Sequence, residues 1–442
     1  MLVFRRRVDR KMKVLLINPP NCGRSIPEEK YGIDSLKQIF RGEPLALEEL
    51  AGNLPAHEVK IVDLKADSRD LSEVLDSFPP DIAGITGVTC EANTMLKLAG
   101  QVKETCGSVV VVGGIHASCD PCFFNRPPVD YIVTGLGKKT FAELAAALKE
   151  GRTTTNIPGV AAVTPGREPY FPPHPCSPAD LRDDRPPAYD LVKDYRQHYY
   201  LPKLAMNMGF VSTAFGCPFN CSFCCLGAQT GGRYLTRSGE AVVRDIELLE
   251  DIPVIRLLDA NTFADPEHSL NLCTALQEAG IKRQYLADAR SDSVVNNPDL
   301  FRQWHEAGLR AVIIGFEEID DLRLKAMNKA NKTAVNNQAI DILHHTGLTI
   351  VGDFIISPEY RDEDFDRLQE YIETKKIDLP MVTVMTPLPG TRLYQEEKDR
   401  ISNHDLDYYT LTNAVLPTGM PEKRFYRRYA DLLRETHAAA RV

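Results

Sequence analysis

Short apolar runs alternate with amphipathic segments through most of the 442-residue chain. In the first third, near-continuous apolar runs predict strands at 14–18, 59–64, 82–86, 109–113 and 131–134, and helical periodicity marks 44–54, 71–77, 91–106 and 139–150. Strands that are apolar throughout are typical of a sheet covered by helices on both faces. We therefore predict that residues 13–150 form a Rossmann-like (flavodoxin-like) α/β domain with right-handed crossovers.

A second strand–helix array follows a proline-rich segment. Residues 151–208 contain ten prolines and are predicted to be an extended linker. Strands are then predicted at 210–214, 255–258, 285–287, 311–314, 352–356 and 381–385, and helices at 239–250, 269–278, 298–306, 333–345 and 362–374. Six such units predict a partial (β/α)6 TIM barrel over 209–394, since a closed barrel needs eight. Residues 395–442 are predicted to be a small α-helical cap.

Composition narrows the class of protein. The chain is 43% hydrophobic and 26% charged, which is usual for a globular protein, and its net charge of -9 argues against a nucleic-acid partner. Eleven cysteines without a regular framework are typical of a reducing compartment, so a cytoplasmic protein is expected. Residues 1–12 form a basic tail, and the apolar run after it is too short for a signal peptide. No run is long enough to span a bilayer.

Three cysteines in one predicted loop are the strongest chemical signal, with the spacing Cys217-x-x-x-Cys221-x-x-Cys224. Three thiolates can hold three irons of a 4Fe-4S cluster and leave the fourth iron open to a chelating ligand. A structural zinc site would need a fourth ligand, for which the adjacent Cys225 is poorly placed. A disulfide framework would suit a small secreted chain instead. We therefore predict a cluster, and we assign no side chain as a catalytic acid, base or nucleophile.

The predicted strands of the first domain end in small and hydrogen-bonding residues. Ligands bind at this edge of a doubly wound sheet, and small residues let the backbone approach them closely. The candidate ligand-binding residues are Asn18, Pro19, Thr86, Gly87, Val88, Thr89, Gly113, Gly114, His116, Gly135, Leu136 and Gly137. On the residues alone, tight turns without a ligand remain an alternative.

Nearly the whole chain resembles the cobalamin-binding class of radical S-adenosylmethionine (SAM) enzymes. The cysteine loop, with Phe223 before its third cysteine, matches the superfamily motif. Residues 112–116 and 129–137 resemble the family's cobalamin domain, and 186–191 resembles its interdomain signature. The resemblance implies a 4Fe-4S cluster, SAM and cobalamin as cofactors, and it makes the strand-end residues above candidates for binding cobalamin.

The chain departs from the family pattern at three places. The family usually carries acidic residues in the last glycine turn, where this chain has Leu136, Lys138 and Lys139. It often has an arginine two residues before the first cluster cysteine, where this chain has Phe215. The chain also lacks the Asp-x-His-x-x-Gly signature that supplies an imidazole to cobalt. The expected cofactor is therefore base-off, without a lower histidine ligand of that kind.

Polar residues follow successive barrel strands at positions that the superfamily uses for SAM. The resemblance implies that Asp259 and Asn261 meet the amino group and that Arg290 pairs with the carboxylate. Glu317 lies where the family places groups around the ribose and methionine moieties, and Phe223 is expected near the adenine. Each could instead be a cap, a surface charge or core packing. Their recurrence at one end of the barrel favours ligand binding.

The last third of the chain resembles the hopanoid C3-methylase subgroup at 287–290, 297–301, 386–391 and 413–418, and at Phe425 and Tyr426. The resemblance implies methylation of an unactivated carbon, in a polycyclic terpenoid lipid, through a 5′-deoxyadenosyl radical and methylcobalamin. It also implies an electron donor such as flavodoxin or ferredoxin and, with a lipid substrate, peripheral membrane association. The alternatives are cyclisation, rearrangement or sulfur insertion with the same cofactors, a first domain without cobalamin, and a non-catalytic iron-sulfur or zinc-binding module.

Overall fold

The computed structural model describes residues 11–34, 42–173, 176–181, 185–201, 206–438 and 440. They divide into two compact units. The described parts of Met1–Gly23 and Arg41–Tyr199, with Cys225–Arg233, make the first unit. The described parts of Arg24–Phe40, Tyr200–Cys224 and Tyr234–Val442 make the second. The predicted domain boundaries, at 12, 150, 208 and 394, stay predictions.

Strands and α-helices are numbered along the described chain. The strands are β1 Lys13–Asn18, β2 Glu58–Asp63, β3 Ile82–Ile85, β4 Val109–Val112, β5 Tyr131–Val133, β6 Val160–Ala162, β7 Tyr200–Leu201, β8 Met206–Val211, β9 Ala214–Phe215, β10 Leu235–Thr236, β11 Val254–Leu257, β12 Gln284–Ala289, β13 Leu309–Glu317, β14 Thr349–Ile356 and β15 Leu379–Val384. The helices are α1 Ile26–Tyr31, α2 Leu45–Gly52, α3 Leu71–Ser77, α4 Ala92–Cys106, α5 Ile115–Cys119, α6 Lys138–Glu150, α7 Gly227–Thr230, α8 Gly239–Glu247, α9 Pro266–Glu278, α10 Ser291–Asn296, α11 Pro298–Ala307, α12 Asp321–Ala326, α13 Thr333–Thr346, α14 Asp362–Thr374, α15 Arg392–Glu397 and α16 Glu422–Ala438.

The first unit contains a six-stranded sheet in the order β2-β1-β3-β4-β5-β6. Strands β1 to β5 are parallel, and β6 runs antiparallel to β5. The side chains of Val14 to Ile17 in the inner strand β1 have no exposed surface, because both faces of the sheet are covered. This strand order is the flavodoxin-like one, so the predicted fold class is confirmed.

The proline-rich segment also contributes to the sheet and the core of the first unit. Strand β6 lies within it and extends the first sheet, and Tyr189–His198 is a 3-10 segment that packs against β2. Val192 and Tyr199 are buried in the first core, and the Tyr199 hydroxyl donates to Asp63 Oδ2 at 3.1 Å. The prediction of an extended linker over 151–208 is therefore wrong for these stretches. A three-residue edge strand and a 3-10 segment carry too little periodicity to be found in the sequence.

The second unit contains a seven-stranded sheet in the order β15-β14-β13-β12-β11-β8-β7. Strands β8 and β11 to β15 are parallel, and within this sheet, as far as it is described, only β7 runs antiparallel to its neighbour. These six parallel strands confirm the predicted partial barrel. The fully buried Trp304 lies between the sheet and the outer helices, and its indole N–H donates to Ser269 Oγ at 3.0 Å.

The carboxyl-terminal helix belongs to the core of the second unit. Helix α16 packs on β15 and α14, and the Tyr429 hydroxyl donates to the Val382 carbonyl at 2.7 Å. The buried Tyr426 hydroxyl accepts from the Ala414 N–H at 2.9 Å. None of the helices in the described ranges combines the length and the apolarity that crossing a bilayer requires.

Substituting Gly52 tests whether the end of the proline-rich segment is fixed on the first unit. A Cβ at Gly52 would lie 2.0 Å from the Pro186 carbonyl oxygen, and the neighbouring Ala188 N–H donates to the Glu48 carbonyl at 2.9 Å. We expect Gly52→Ala to destabilise the protein by about 1–3 kcal/mol, measured as a lower midpoint of thermal unfolding. The control is Gly100→Ala in α4, where the nearest atom, Pro128 Cγ, is 3.8 Å away. An equally lowered unfolding midpoint in both variants would contradict the packing of Pro186 and Ala188 against helix α2.

Candidate functional site

The cysteine loop follows the short strand β9, at the carboxyl end of the barrel. Cys217, Cys221 and Cys224 are each partly exposed, and none of these three described thiols is in a disulfide. Ser222 fixes the loop on two sides, because its N–H donates to the Met327 carbonyl at 2.9 Å and its carbonyl accepts from the Leu393 N–H at 2.8 Å. The backbone that carries the thiols is therefore tied to the ends of α12 and α15.

Cationic side chains lie beside this loop. The Arg290 guanidinium stacks on the Phe219 ring at 3.6 Å from its centroid, and it donates to the Lys329 carbonyl at 2.9 Å. Burial raises the pKa of the Cys221 thiol, while the positive charges of Lys329 and Arg290 act in the opposite direction. The neighbouring cations favour the thiolate form of Cys221, which is the form that binds iron.

The structure places two of the predicted SAM-binding residues, Arg290 and Glu317, in this cationic group. Lys329 Nζ forms an ion pair with Glu317 Oε1 at 2.5 Å. Glu317 has a φ of 64°, at a register shift between β13 and β14, and a Cβ at Gly315 would lie 2.2 Å from its carboxylate. Left-handed backbone in a residue other than glycine is concentrated at functional sites. Arg290 is also held by Asp292, with Nε to Oδ1 at 3.0 Å.

Asp259 and Asn261 are committed to hydrogen bonds within the protein. The Asp259 carboxylate accepts from the N–H groups of Thr213 and Ala214, at 2.7 and 2.9 Å, and from the Thr213 hydroxyl at 2.5 Å. Asn261 is fully buried, and its side-chain oxygen accepts from the Phe263 N–H at 3.2 Å. These contacts give Asp259 the role of fixing the turn that leads into the cysteine loop. Direct contact of either residue with SAM stays a prediction.

Phe223 lines a cavity whose walls do not include Arg290 or Glu317. This cavity of about 520 Å³ is formed at the carboxyl ends of β13, β14 and β15, together with Glu318, Arg323, Ser357 and Met385. Arg323 is already paired with Asp364, Nη2 to Oδ1 at 2.7 Å, and covers the Tyr360 ring. The cavity thus offers an aromatic wall beside polar groups, which suits a purine, and adenine contact by Phe223 stays a prediction.

Sequence reasoning missed Phe219, Lys329 and Asp292. Phe219 lies inside the cysteine motif, at a position that the superfamily pattern leaves unspecified. Lys329 follows helix α12 rather than a strand, so a search of strand ends passes over it. The neighbouring residues Asn328 and Ala330 both have a positive φ of 51°, which is uncommon for residues other than glycine. These two values are the local sign that the turn is constrained.

In the first unit, the glycine-rich strand ends surround a narrow slot of about 70 Å³. Six of the predicted cobalamin-binding residues line it, namely Thr86, Gly113, Gly114, Gly135, Leu136 and Gly137. The rest of its wall is largely apolar, with Leu47, Leu50 and Phe141. Gly114 has a φ of 91°, and a Cβ there would lie 2.4 Å from Thr86 Oγ1, so only glycine fits.

A second cavity of about 380 Å³ shares Gly135, Leu136, Gly137 and Gln229 with this slot. Its other walls carry several polar and charged side chains, whereas those of the slot are largely apolar. A large ligand with one aromatic and one polar portion therefore fits the pair of cavities. Cobalamin has both portions, so the residues present fit the group that the sequence predicted.

The remaining cobalamin candidates line neither cavity: Asn18, Pro19, Gly87, Val88, Thr89 and His116. The Asn18 amide donates to Asp63 Oδ1 at 2.8 Å, and the Val88 N–H donates to Glu91 Oε2 at 2.9 Å. Contact of these six residues with cobalamin stays a prediction.

His116 is buried rather than presented at the sheet edge. It has no exposed surface, its ring packs against Phe123 and Phe124 at 5.3 and 5.6 Å, and neither ring nitrogen has a hydrogen-bond partner among the described residues. Burial lowers the pKa of His116 to about 4, against an opposing effect of Asp120. The position after two glycines suggested a turn, but helix α5 turns this side chain into the core.

The three cysteine thiols of the loop have the chemistry that a cluster requires. Within the described ranges, no three His, Cys, Asp or Glu side chains converge as ligands of a single metal ion. A zinc site needs such convergence, whereas three cysteines of a 4Fe-4S cube bind three different irons. The donor set and the flanking cations fit the cluster that the spacing predicted.

Comparison with known proteins agrees with this geometry. Residues 38–145 match the B12 binding domain family, and residues 211–372 match the radical SAM superfamily. An uncharacterised methyltransferase of Pyrococcus horikoshii is 30% identical over 401 residues, which is 87% of this chain and 83% of that protein. The chain belongs to the radical SAM enzymes that carry a B12-binding domain.

The chain is also similar to another curated protein and to a solved structure. The hopanoid C-3 methylase of Methylococcus capsulatus is 27% identical over 399 residues, covering 88% of this chain and 75% of that protein. The structure of the radical SAM methyltransferase TsrM from Kitasatospora setae, with tryptophan and a SAM analogue, superposes with a TM-score of 0.72 at 18% identity. That match covers 96% of this chain and 89% of TsrM, and it shows the fold. The predicted family, its two domain types and the enzyme class are confirmed.

Asp259→Asn tests the carboxylate that fixes the turn before the loop. An amide offers one acceptor oxygen and turns an NH₂ group toward the N–H groups of Thr213 and Ala214, so we expect a loss of about 1–3 kcal/mol in stability. We also expect less iron and sulfide per chain after anaerobic reconstitution. The control is Asp265→Asn, because Asp265 caps α9 by accepting from the His268 N–H and asparagine caps equally well. Full iron content in Asp259→Asn would contradict the assigned role.

His116 should make the stability depend on pH. Its pKa is about 4 when folded and near 6.5 when exposed, so the unfolded state binds the proton first and stability falls as the pH drops from about 6.5 to 4. The limiting effect is about 3 kcal/mol. His116→Leu keeps the apolar packing and should flatten this slope in thermal unfolding measured across that range. An unchanged slope would mean that His116 is not the group responsible.

Proposed function

We propose that this radical SAM enzyme is a cobalamin-dependent methyltransferase acting on an unactivated carbon. One observation carries the proposal: a single chain holds both a thiol loop flanked by Arg290 and Lys329 and a glycine-walled slot in a B12-binding domain. When bound, the 4Fe-4S cluster, SAM and cobalamin would supply the radical and the methyl group. The protein therefore needs no acid–base pair of its own.

The chain's residues would bind and orient these groups. Cys217, Cys221 and Cys224 would hold the cluster, and Ser222 would keep the loop in place through its two backbone hydrogen bonds. Arg290 is oriented by Phe219 and Asp292, and a guanidinium suits a carboxylate such as that of SAM. Phe223 would face the adenine within its cavity.

Lys329 and Glu317 would form the other side of this binding region. Their ion pair keeps a cation near Cys221 and leaves the second carboxylate oxygen of Glu317 for hydroxyl groups of the nucleoside. The low exposure of both side chains, 7% and 10%, strengthens such contacts because little water competes.

We further propose a polycyclic terpenoid lipid, of the hopanoid type, as the substrate. The support is the likeness to the hopanoid C-3 methylase. A small electron-transfer protein such as flavodoxin or ferredoxin would deliver the electron. A lipid substrate would bring the enzyme to a membrane surface as a peripheral protein.

The proposal is tested with protein reconstituted anaerobically with iron, sulfide and cobalamin. A pentacyclic hopanoid is supplied with SAM carrying a deuterated methyl group and a low-potential reductant. We expect 5′-deoxyadenosine and a hopanoid product that has gained the labelled methyl group, detected by mass spectrometry. Formation of 5′-deoxyadenosine with an unlabelled, rearranged product would replace methylation by another radical reaction.

Single cysteine variants give the matched control. Cys221→Ala should lose both 5′-deoxyadenosine formation and most of the reconstituted iron, because a corner of the cluster has no ligand. Cys225→Ala should keep both, since the adjacent thiol is not a cluster ligand in this proposal. Equal loss in both variants would contradict the ligand assignment.

A further inference from the structure

The polar cavity of the first unit carries positive charge beside the glycine-rich turn. Its volume is about 380 Å³, and its walls include Thr134, Lys138, Lys139, Thr140, Asp180 and Arg233. Because it shares Gly135 to Gly137 with the apolar slot, one ligand can occupy both cavities.

Two of these cations are held by neutral groups. Lys139 Nζ donates to the Ala179 carbonyl at 2.8 Å, and Arg233 Nη1 donates to the Cys176 carbonyl at 2.9 Å. Among the described residues, no carboxylate forms an ion pair with either side chain. A carbonyl contact orients a cation without neutralising it, so both charges remain available to a ligand.

The other charged residues of the cavity are engaged elsewhere. Lys138 is buried and lies 3.5 Å from Glu49 Oε1, so its charge is offset within the protein. The Asp180 carboxylate accepts from the Ser177 N–H at 2.7 Å. Lys139 and Arg233 together outweigh this single carboxylate, and the cavity favours an anion.

We propose that Lys139 and Arg233 bind the phosphodiester of the cobalamin nucleotide arm. The inference rests on the proposed use of cobalamin and adds to it a subsite made by two named residues. The phosphodiester is the one anionic group on an otherwise amide-decorated macrocycle, and it is joined through a sugar to an aromatic base. The apolar wall of Leu47, Leu50 and Phe141 suits that base, and the cationic cavity next to it suits the phosphate.

The chemistry of these two cations suits a phosphate and favours an anion over a neutral amide. A guanidinium offers a planar fork of N–H groups that matches two phosphate oxygens, and an ammonium adds a point charge. Both side chains are partly in solvent, so each contact should contribute modestly. We expect removal of both cations to weaken binding of the phosphate group by about 5- to 20-fold.

The test compares three corrinoids on the full chain, with the cluster reconstituted, in their aqua forms. Cobinamide lacks the phosphate and the base, cobinamide phosphate adds the phosphate, and cobalamin adds both. Dissociation constants are measured by equilibrium dialysis with detection of corrinoid absorbance. We expect the unmodified protein to bind cobinamide phosphate more tightly than cobinamide.

The decisive variant is the double substitution Lys139→Ala, Arg233→Gln. This variant should bind cobinamide phosphate and cobalamin about 5- to 20-fold more weakly than the unmodified protein does. Its affinity for cobinamide should change by no more than about twofold, because only the charge contact is removed. Lys139→Arg should retain tight binding. The matched control is Lys149→Ala, Arg152→Gln, which removes the same charges at the far end of α6, outside both cavities.

Three outcomes would overturn the subsite. Equal affinity of the unmodified protein for cobinamide and its phosphate would show that the phosphate makes no contact. Equal weakening of all three corrinoids in the double variant would indicate a structural role. Binding of inorganic phosphate that depends on both cations, without competition by cobinamide phosphate, would assign the cavity to a free anion. If the unmodified protein binds no corrinoid, the proposed use of cobalamin fails as well, which separates the two failures.

Discussion

A single buried carboxylate fixes the backbone that leads into the cysteine loop. Asp259 follows β11, and its two oxygens accept three hydrogen bonds from Thr213 and Ala214, which follow β8. A buried carboxylate is costly unless its lone pairs are used, and here two of the three donors are backbone N–H groups and the third is the Thr213 hydroxyl. The two strand ends are thereby joined immediately before Cys217. The positions of the cysteine thiols depend on these hydrogen bonds, and an iron-sulfur cluster tolerates little displacement of its ligands.

Around the loop, charges are placed in pairs that leave a cationic side toward the thiols. Arg290 is balanced by Asp292 and Lys329 by Glu317, so neither is an uncompensated buried charge. Each cation nevertheless lies close enough to oppose the effect of burial on the pKa of Cys221. The pairing also sets geometry, because Arg290 is held flat on Phe219 and can present only its remaining N–H edge to a ligand. In the proposed function, this fixed edge is the part of Arg290 that would meet the SAM carboxylate.

The sequence predicted the two sheets because long apolar runs leave little freedom about which segments are buried strands. It failed where the deciding contact is distant along the chain. A polar residue at a strand end looks the same whether it binds a ligand or, like Asp259, a neighbouring backbone. His116 after Gly113 and Gly114 resembles a turn residue, yet packing against Phe123 and Phe124 decides its orientation. The role of Lys329 could not be predicted from the sequence, because its ion pair with Glu317 depends on the folded structure.

The last glycine turn shows how a departure from a family pattern can be accommodated locally. Lys138 occupies a buried position where an unpaired ammonium would be strongly destabilising, and Glu49 on helix α2 supplies the opposite charge. The next residue, Lys139, is exposed and has no such partner among the described residues, so its charge faces the cavity. The two adjacent lysines therefore have different roles. The charge of Lys138 is balanced by Glu49 within the core, and the charge of Lys139 makes the wall of the cavity more positive. Only the second can alter what the turn recognises, because a charge cancelled inside the protein exerts little field on a ligand.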